Sequence, residues 1–321
     1  MSMSKSKSKS YVGIDIGGTK TIVAVADNDG HIIAQERIDT PREQGPSAVL
    51  SAVEIAVRSL LTHDALRITA VGIGCGGPLD RERGIILTAP NLPGWDNLDL
   101  VHYFRNAFGA SVVIDNDVNL MALAEARDGA GVGVDHMAYF NIGTGVGGGI
   151  VIGGKLYRGC GNAAEFGHQT ILPDGPNCLC GKRGCLESLV SGTSIARRAK
   201  EYLADHPRSS ILKLAGSLDA VTAEVVARAA FDGDDLARRI WLETGEYLGL
   251  GVANVVNILN PRMVIIGGGV AKVGDLLLEP VRRTVRERAM TQLAADVRIV
   301  PGVLGEQAGI IGAIRLAIER E

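Results

Sequence analysis

Four residues near the middle of the chain carry the clearest chemistry. His168, Cys178, Cys180 and Cys185 stand in the order His-x9-Cys-x-Cys-x4-Cys, separated by Pro and Gly turns. One imidazole and three thiols make a closed set suited to tetrahedral zinc, and four protein ligands leave no position open for a reactant, so such a metal is structural. The Cys-x-Cys spacing lacks the two intervening residues of a thioredoxin-type pair, and a disulfide would strand the third thiol. Glu165 lies three residues before His168 and Glu187 two after Cys185, so an ion that fixes these ligands also fixes both carboxylates. Taken singly, Glu187 reads as a solvated surface carboxylate. Cys75 and Cys160 have no ligand spacing and read as small buried residues.

Glycine turns form the second group. Asp15-Ile16-Gly17-Gly18-Thr19-Lys20 and Asn141-Ile142-Gly143-Thr144-Gly145 each follow a short apolar strand and lead into another. Such hairpin turns can aim backbone N–H groups inward as an anion nest, although glycine and asparagine favour plain tight turns as well. Gly267, Gly268 and Gly269 follow the apolar run Met263–Ile266 and offer a third contact, at the nucleoside end of a nucleotide. Gly72, Gly74 and Gly77, and again Gly143, Gly145 and Gly148, match the glycine count of a dinucleotide finger. That finger needs a helix directly after the glycines; Pro78 follows the first set and Ile150-Val151-Ile152 the second, which argues against the dehydrogenase reading.

Asp117 is the candidate general base. It sits where the apolar strand Ser111–Ile114 meets an alanine-rich helical stretch, a junction that holds a carboxylate firmly, and a helix N-cap is its structural alternative. Asp15 is placed to face a magnesium ion and its waters beside phosphates, or else to serve as an Asx-turn residue. Lys20 can reach phosphates or simply face solvent.

The elements that must position these residues follow from periodicity. Tyr11–Ile16, Thr21–Ala26 and His31–Arg37 read as a β-meander, Ser47–Leu61 as an amphipathic helix with apolar Val49, Leu50, Val53, Ile55, Ala56 and Leu60, and Ala70–Ile73 as the next strand. The first lobe ends near Asp117. A second strand, glycine turn and strand at Met137–Ile142 and Gly149–Ile152 echoes the opening. Asp234 and Pro261 bracket one long helix to Leu259, and a small-residue helix from about Gly305 packs back on the first lobe. The expected division is a disordered tail over 1–10, an α/β lobe over 11–117 and a second over 118–304.

Composition agrees. A chain of 321 residues rich in aliphatic side chains folds as two lobes without staples. The net charge of −3 and the absence of basic runs interleaved with aromatics argue against a nucleic-acid surface. The tail MSMSKSKSKS has no apolar core to act as a secretory signal, no run of eighteen apolar residues could span a membrane, and five cysteines suit a reducing cytoplasm.

Together, Asp15-x-Gly-Gly-Thr-Lys20, Asn116-Asp117, Gly143-Thr-Gly-Val-Gly-Gly-Gly149, Glu165-x-Gly-His168, the cysteine cluster and Gly267–Gly269 resemble the ROK family of sugar kinases and repressors, in order from Tyr11 to the end. The resemblance implies a two-lobed, actin-like (ribonuclease H-like) α/β fold with ATP in an interdomain cleft, Mg2+ at the phosphates and a structural zinc. It further implies sugar contacts from Asn116, Asp117, Glu165, His168 and Glu187, with Gly77 and Asn91 weaker candidates; Asn91 alone reads as a turn residue. Asp117 would take the proton from the 6-hydroxyl of glucose. The cysteine spacing resembles the glucokinase and N-acetylhexosamine kinase branch, so N-acetylglucosamine and N-acetylmannosamine stay open. Repressors of the family carry a helix-turn-helix ahead of this fold, for which the ten residues before Tyr11 are too few. Relatives are commonly dimers or tetramers, which implies a homo-oligomer.

Overall fold

The computed structural model describes residues 8–61 and 66–320. Its strands, in chain order, are β1 (Ser8–Ile16), β2 (Lys20–Ala26), β3 (Ile32–Asp39), β4 (Leu66–Cys75), β5 (Leu79–Asp80), β6 (Ile85–Thr88), β7 (Asp96–Asp99), β8 (Ser111–Asn116), β9 (Met137–Ile142), β10 (Val146–Ile152), β11 (Lys155–Leu156), β12 (Met263–Gly267) and β13 (Arg298–Pro301). The helices are α1 (Pro46–Leu60), α2 (Leu100–Phe108), α3 (Asp117–Asp128), α4 (Glu187–Val190), α5 (Gly192–Leu203), α6 (Ile211–Ala215), α7 (Ala223–Phe231), α8 (Asp235–Leu259), α9 (Asp275–Arg288), α10 (Thr291–Asp296) and α11 (Ala308–Ile318).

Of the expected tail, residues 1–7 lie outside the described residues. Ser8–Ser10 do not belong to it: they pair in parallel with Leu66–Ile68, and the buried Ser10 hydroxyl donates to the Arg67 carbonyl at 2.9 Å. The chain forms two compact units. The first comprises the described residues up to Asp128, Leu156–Ala163 and the chain from Glu306; the second comprises Gly129–Lys155 and Ala164–Gly305. The first unit runs past Asp117 because Leu120 and Leu123 of α3 pack with Ala313 and Leu316 of α11.

Both units are built on a five-stranded sheet of one design, in the order β3-β2-β1-β4-β8 in the first and β11-β10-β9-β12-β13 in the second. In the first, β1–β2 and β2–β3 are antiparallel while β1–β4 and β4–β8 are parallel. The second repeats this with β9–β10 antiparallel and β9–β12 and β12–β13 parallel. This is the ribonuclease H-like order, and the strand, glycine turn, strand echo in the sequence is the first hairpin of each sheet. The interior strand β12 is buried along its whole length, as a strand covered on both faces must be, whereas edge strand β3 alternates.

Register is what positions the site in the first unit. Asp15 pairs with Gly74 and Gly74 with Asp115; one residue on, Ile16, Cys75 and Asn116 align. Parallel strands end at the same sheet edge, so β1, β4 and β8 deliver their last residues together. One face of the sheet packs Val12, Ile14, Ile73 and Val112 with Trp95 and Phe104. On the other face α11 lies unusually close. A Cβ at Gly13 would stand 2.8 Å from Ile314 and 3.0 Å from the Ile310 carbonyl, and one at Gly72 would run into the Ala313 carbonyl.

In the second unit, α8 begins where Asp234 accepts the Ala237 N–H at 2.9 Å and ends at a left-handed Asn260. Ile55, expected on the apolar stripe of α1, is instead solvent-exposed: the stripe runs through Val49, Leu50, Val53, Ala56 and Val57. The small sheet β5-β6-β7 has strands of two to four residues, too short for a period to show in the sequence. Among the described residues no helix is long and apolar enough to cross a membrane.

The close seating of α11 yields a test. Gly72→Ala places a methyl group against helix backbone, which cannot rotate away, and should cost about 1–3 kcal/mol of stability by overpacking. Thermal melts should show the midpoint lowered by several degrees. A variant that melts with the wild type would contradict the close packing.

Candidate active site

Asp15, near the end of β1, keeps some open surface, yet its carboxyl lies beneath α11. A Cβ at Gly309 would run into it, and one at Gly74 would sit 3.6 Å from its Oδ1. The same Gly74 Cβ would lie 3.8 Å from the Asp117 Cα, and a Cβ at Gly76 would lie 3.3 Å from Asp117 Oδ2. Two carboxylates therefore border one glycine-lined patch. Burial pushes the Asp15 carboxyl up to about 7; the charge of Asp117 adds to that, and the Lys20 ammonium opposes it. Lys20 is itself engaged, its Nζ donating to Glu306 Oε2 at 3.0 Å.

The helix-cap alternative for Asp117 is answered by its neighbour. Asn116 Oδ1 accepts the N–H groups of Val118 at 2.9 Å and Asn119 at 3.3 Å, so Asn116 caps α3. Asp117 stands in the first turn, its Oδ1 also reached by the Val118 N–H at 2.9 Å. Behind them Asp115 is 1 % exposed and fully engaged. Its Oδ1 accepts the Asn116 N–H and the Asn119 side-chain amide, both at 2.9 Å. Its Oδ2 accepts Arg158 Nε at 2.6 Å, with Arg81 Nε at 3.4 Å. Asp115, Arg81 and Arg158 are absent from the sequence-derived candidates; Asp115 was visible in the Asp-Asn-Asp run, but nothing in the sequence links it to an arginine 43 positions on.

The first phosphate-turn candidate is tightly made. The Gly17 N–H donates to the Lys20 carbonyl at 3.0 Å, and Thr40, the residue after β3, fastens the turn by donating its hydroxyl to the Gly17 carbonyl at 2.8 Å and its N–H to the Thr19 carbonyl at 3.0 Å. Asn91 covers Gly18, whose Cβ would meet the Asn91 side chain at 2.8 Å. Gly77 adopts a positive φ of 106° on the loop leaving β4.

In the second unit the corresponding turn joins β9 to β10. Gly143 donates its N–H to Gly145 at 2.9 Å and accepts that of Gly192 at 2.8 Å, and the Thr193 hydroxyl donates to the Thr144 carbonyl at 3.1 Å. Beside this turn opens a cavity of about 910 Å³ whose walls include Gly143, Thr144, Gly269, Val270, Lys272 and Phe231. Gly268 makes the exit from β12 with φ +87°, and a side chain there would strike the Ile142 backbone, so only glycine fits. Gly267 and Gly268 shape that exit; Gly269 reaches the cavity.

The ligand cluster is assembled in the same unit. The donor atoms of His168, Cys178, Cys180 and Cys185 all lie within 4.8 Å of one another. His168 Nδ1 is 3.8 Å from Cys178 Sγ and Cys180 Sγ is 3.7 Å from Cys185 Sγ, close to the edge of a tetrahedron with metal–sulfur bonds of about 2.3 Å. The four residues thus fit zinc. Burial pushes the Cys178 thiol up to about 12 and raises Cys185, while the Lys182 backbone N–H lowers Cys180. Glu187, half-buried at the start of α4, links this cluster to the Gly143–Gly145 turn. Its Oε2 accepts the Val146 N–H at 2.8 Å, and its Oε1 is 3.7 Å from Cys178 Sγ. Glu165 is exposed, with Oε2 3.9 Å from His168 Nε2.

Cys75 is buried as expected, but Cys160 is exposed, because it stands on a surface loop between Gly159 and Gly161, both at positive φ. The expected residues fall into two sets. Asp15, Gly17, Gly18, Thr19, Lys20, Gly77, Asn91, Asn116 and Asp117 belong to the first unit, and Gly143–Gly145, Glu165, His168, the three ligand cysteines, Glu187 and Gly267–Gly269 to the second.

Known proteins share this design along the whole chain. A glucokinase of Thermotoga maritima is 38 % identical over 310 residues, covering 96 % of this chain and 97 % of its own. A crystal structure of a ROK family glucokinase from Streptomyces griseus in complex with glucose and AMPPNP superposes with a TM-score of 0.83 at 36 % identity, covering 97 % of this chain and 99 % of that one. A xylose repressor of Caldicellulosiruptor bescii is 32 % identical over 96 % of this chain and 78 % of its own. The sequence profile of the ROK family matches residues 11–320, and the chain belongs to that family.

Proposed function

We propose that this protein is an ATP-dependent hexose kinase that transfers the γ-phosphoryl group of ATP to the 6-hydroxyl of glucose. The observation that carries the reading is the pair of carboxylates, Asp15 bordering Gly74 and Asp117 bordering Gly76, where three parallel strands end. Phosphoryl transfer needs a base for the attacking hydroxyl and compensation of phosphate charge, and this pair supplies one carboxylate for each task. Asp117 accepts the proton of the sugar hydroxyl as the oxygen attacks the γ-phosphorus; the bond to the β-phosphate oxygen breaks and ADP leaves. The backbone N–H groups of the Gly17–Thr19 and Gly143–Gly145 turns receive phosphate oxygens. The cavity of about 910 Å³ has the size and the apolar walls of a nucleoside site. Similarity to the glucokinases of Thermotoga maritima and Streptomyces griseus supports glucose as the acceptor.

Sugar contacts in this reading come from Gly77, Asn91, Asn116 and Asp117 of the first unit and Glu165, His168 and Glu187 of the second. Magnesium fits Asp15, because a buried carboxyl beside a second carboxylate gains most from a divalent cation. Bound there, magnesium would neutralise phosphate charge. Zinc at His168, Cys178, Cys180 and Cys185 would hold Glu187 in place and do no chemistry. All five cysteines are free thiols, which suits a cytoplasmic setting, and a homo-oligomer completes the reading.

A coupled ADP-release assay over hexoses and N-acetylhexosamines with ATP and magnesium tests the activity; glucose should give the highest kcat/KM, and no ADP release with any sugar would refute it. Asp117→Asn should keep the fold and glucose binding and lose kcat by about a thousandfold, as removal of a general base does. Turnover near wild type would take Asp117 out of the mechanism.

Chelator-washed, folded protein should retain one zinc per chain by elemental analysis, and none would defeat the site. Asp15 gives a pH signature. Its carboxyl holds a proton up to about pH 7 in the folded chain but only to its ordinary 3.8 when unfolded. Folding therefore takes up a proton between those values, and this contribution to stability is full below the lower one and lost as pH rises through the upper, with a ceiling of about 4 kcal/mol. Without nucleotide or divalent cation, the wild type should lose melting temperature relative to Asp15→Asn from about pH 5 to about pH 8. Parallel curves would contradict the shift.

A further inference from the structure

The loop Leu156–Ala163 is an excursion. The chain is in the second unit up to Lys155, contributes this loop to the first, and re-enters the second at Ala164. Inside the loop, the Arg158 carbonyl accepts the N–H groups of Gly161 at 2.8 Å and Ala163 at 3.1 Å, and Arg158 Nη1 donates to the Leu156 carbonyl at 3.3 Å. Two side chains then leave it as tethers. Asn162 Oδ1 accepts the Leu79 N–H at 3.2 Å, two residues past Gly77, and Arg158 Nε meets Asp115 Oδ2 at 2.6 Å.

Asp115 converts the second tether into a constraint on the base. Its other oxygen holds the Asn116 backbone N–H and the Asn119 amide, while the Asn116 side chain caps the helix on whose first turn Asp117 stands. The peptide that aims Asp117 is thus gripped from both sides, by a buried carboxylate on one and a helix cap on the other. A carboxylate that is 1 % exposed needs a cation beside it, and of its two arginines Arg158 at 2.6 Å makes a shorter contact than Arg81 at 3.4 Å.

We propose that Arg158, acting through Asp115, is a positioning residue for Asp117 in phosphoryl transfer. The proposal rests on Asp117 being the base of a hexose kinase. Arg158 touches neither reacting group in this account; it fixes the strand end from which the base projects. Loss of the Arg158 contact lets Asp115 turn away and carries the Asn116 peptide with it, and a displacement of about 1 Å at a reacting group costs about a hundredfold in rate. The phosphate turns are not attached to Asp115, so nucleotide affinity is left in place.

Steady-state kinetics with glucose and MgATP on wild type, Arg158→Ala, Arg158→Lys and Arg83→Ala test this. Arg83 is an exposed arginine paired with Asp80 and not with Asp115, so it controls for loss of charge. Arg158→Ala should lose about a hundredfold in kcat, with KM for ATP within about threefold of wild type, and added guanidinium should restore part of the rate. Arg158→Lys, which keeps the charge without the guanidinium geometry, should fall between, and Arg83→Ala should match wild type. An unchanged kcat in Arg158→Ala, or a loss carried wholly by KM for ATP, overturns the proposal. If Arg158→Ala does not fold, Arg158→Lys decides: a melting temperature like wild type with at least a tenfold lower kcat supports the proposal, and an unchanged kcat overturns it. A wild type that releases no ADP with any sugar refutes the kinase reading and this proposal with it, whereas an active wild type beside a fully active Arg158→Ala refutes the proposal alone.

Discussion

Like charges held close repel, and the first unit of this protein holds two carboxylates beside Gly74 and Gly76. Asp15 ends one parallel strand and Asp117 follows another, with β4 between them in fixed register. Burial and the neighbouring carboxylate raise Asp15 to about 7, a cost in free energy that only a proton or a cation can relieve. The rest of the unit keeps the pair in place: α11 presses Gly309 onto Asp15, Gly13 and Gly72 let that helix come near, and the buried Asp115 ties the Asn116 peptide to Arg158.

The second unit meets a complementary need with the same sheet. Its first hairpin turn stands where the Gly17–Lys20 turn stands in the first unit, between the central strand and its antiparallel neighbour. Here the turn opens on a cavity instead of a carboxylate. Glu187 joins the turn to the cysteine cluster through Val146 and Cys178, so order at the metal ligands is order at the turn. A single strand order thus ends on a pair of carboxylates in one copy and on a cavity in the other.

Much of this was legible in the sequence, for reasons that differ by residue. His168, Cys178, Cys180 and Cys185 are close in the chain, and their donor atoms do come together. The hairpin turns and α8 are local, so glycine, capping and period sufficed, and the two-lobed ribonuclease H-like fold followed from the resemblance. Long-range contacts were not legible. Arg158 reaches Asp115 across 43 positions, Lys20 meets Glu306 across 286, and Thr40 fastens the first turn from just after β3. Ile55 and Cys160 failed for a local reason: an apolar or soft side chain was expected to be buried, and backbone direction put each on the solvent side. Ser8–Ser10 look like tail because serine and lysine carry no strand signal, yet the register with β4 extends through them.

The central claim is that Asp15 and Asp117 share a place that needs a cation. Carbon-13 NMR of aspartate carboxyls, assigned with Asp15→Asn, measures it directly. In the protein alone the Asp15 carboxyl should titrate near 7, and with magnesium and a non-hydrolysable ATP analogue at saturation its midpoint should drop into the usual carboxylate range. An Asp15 carboxyl that titrates in the usual range in both states, or one that the magnesium nucleotide leaves unmoved, would contradict the account.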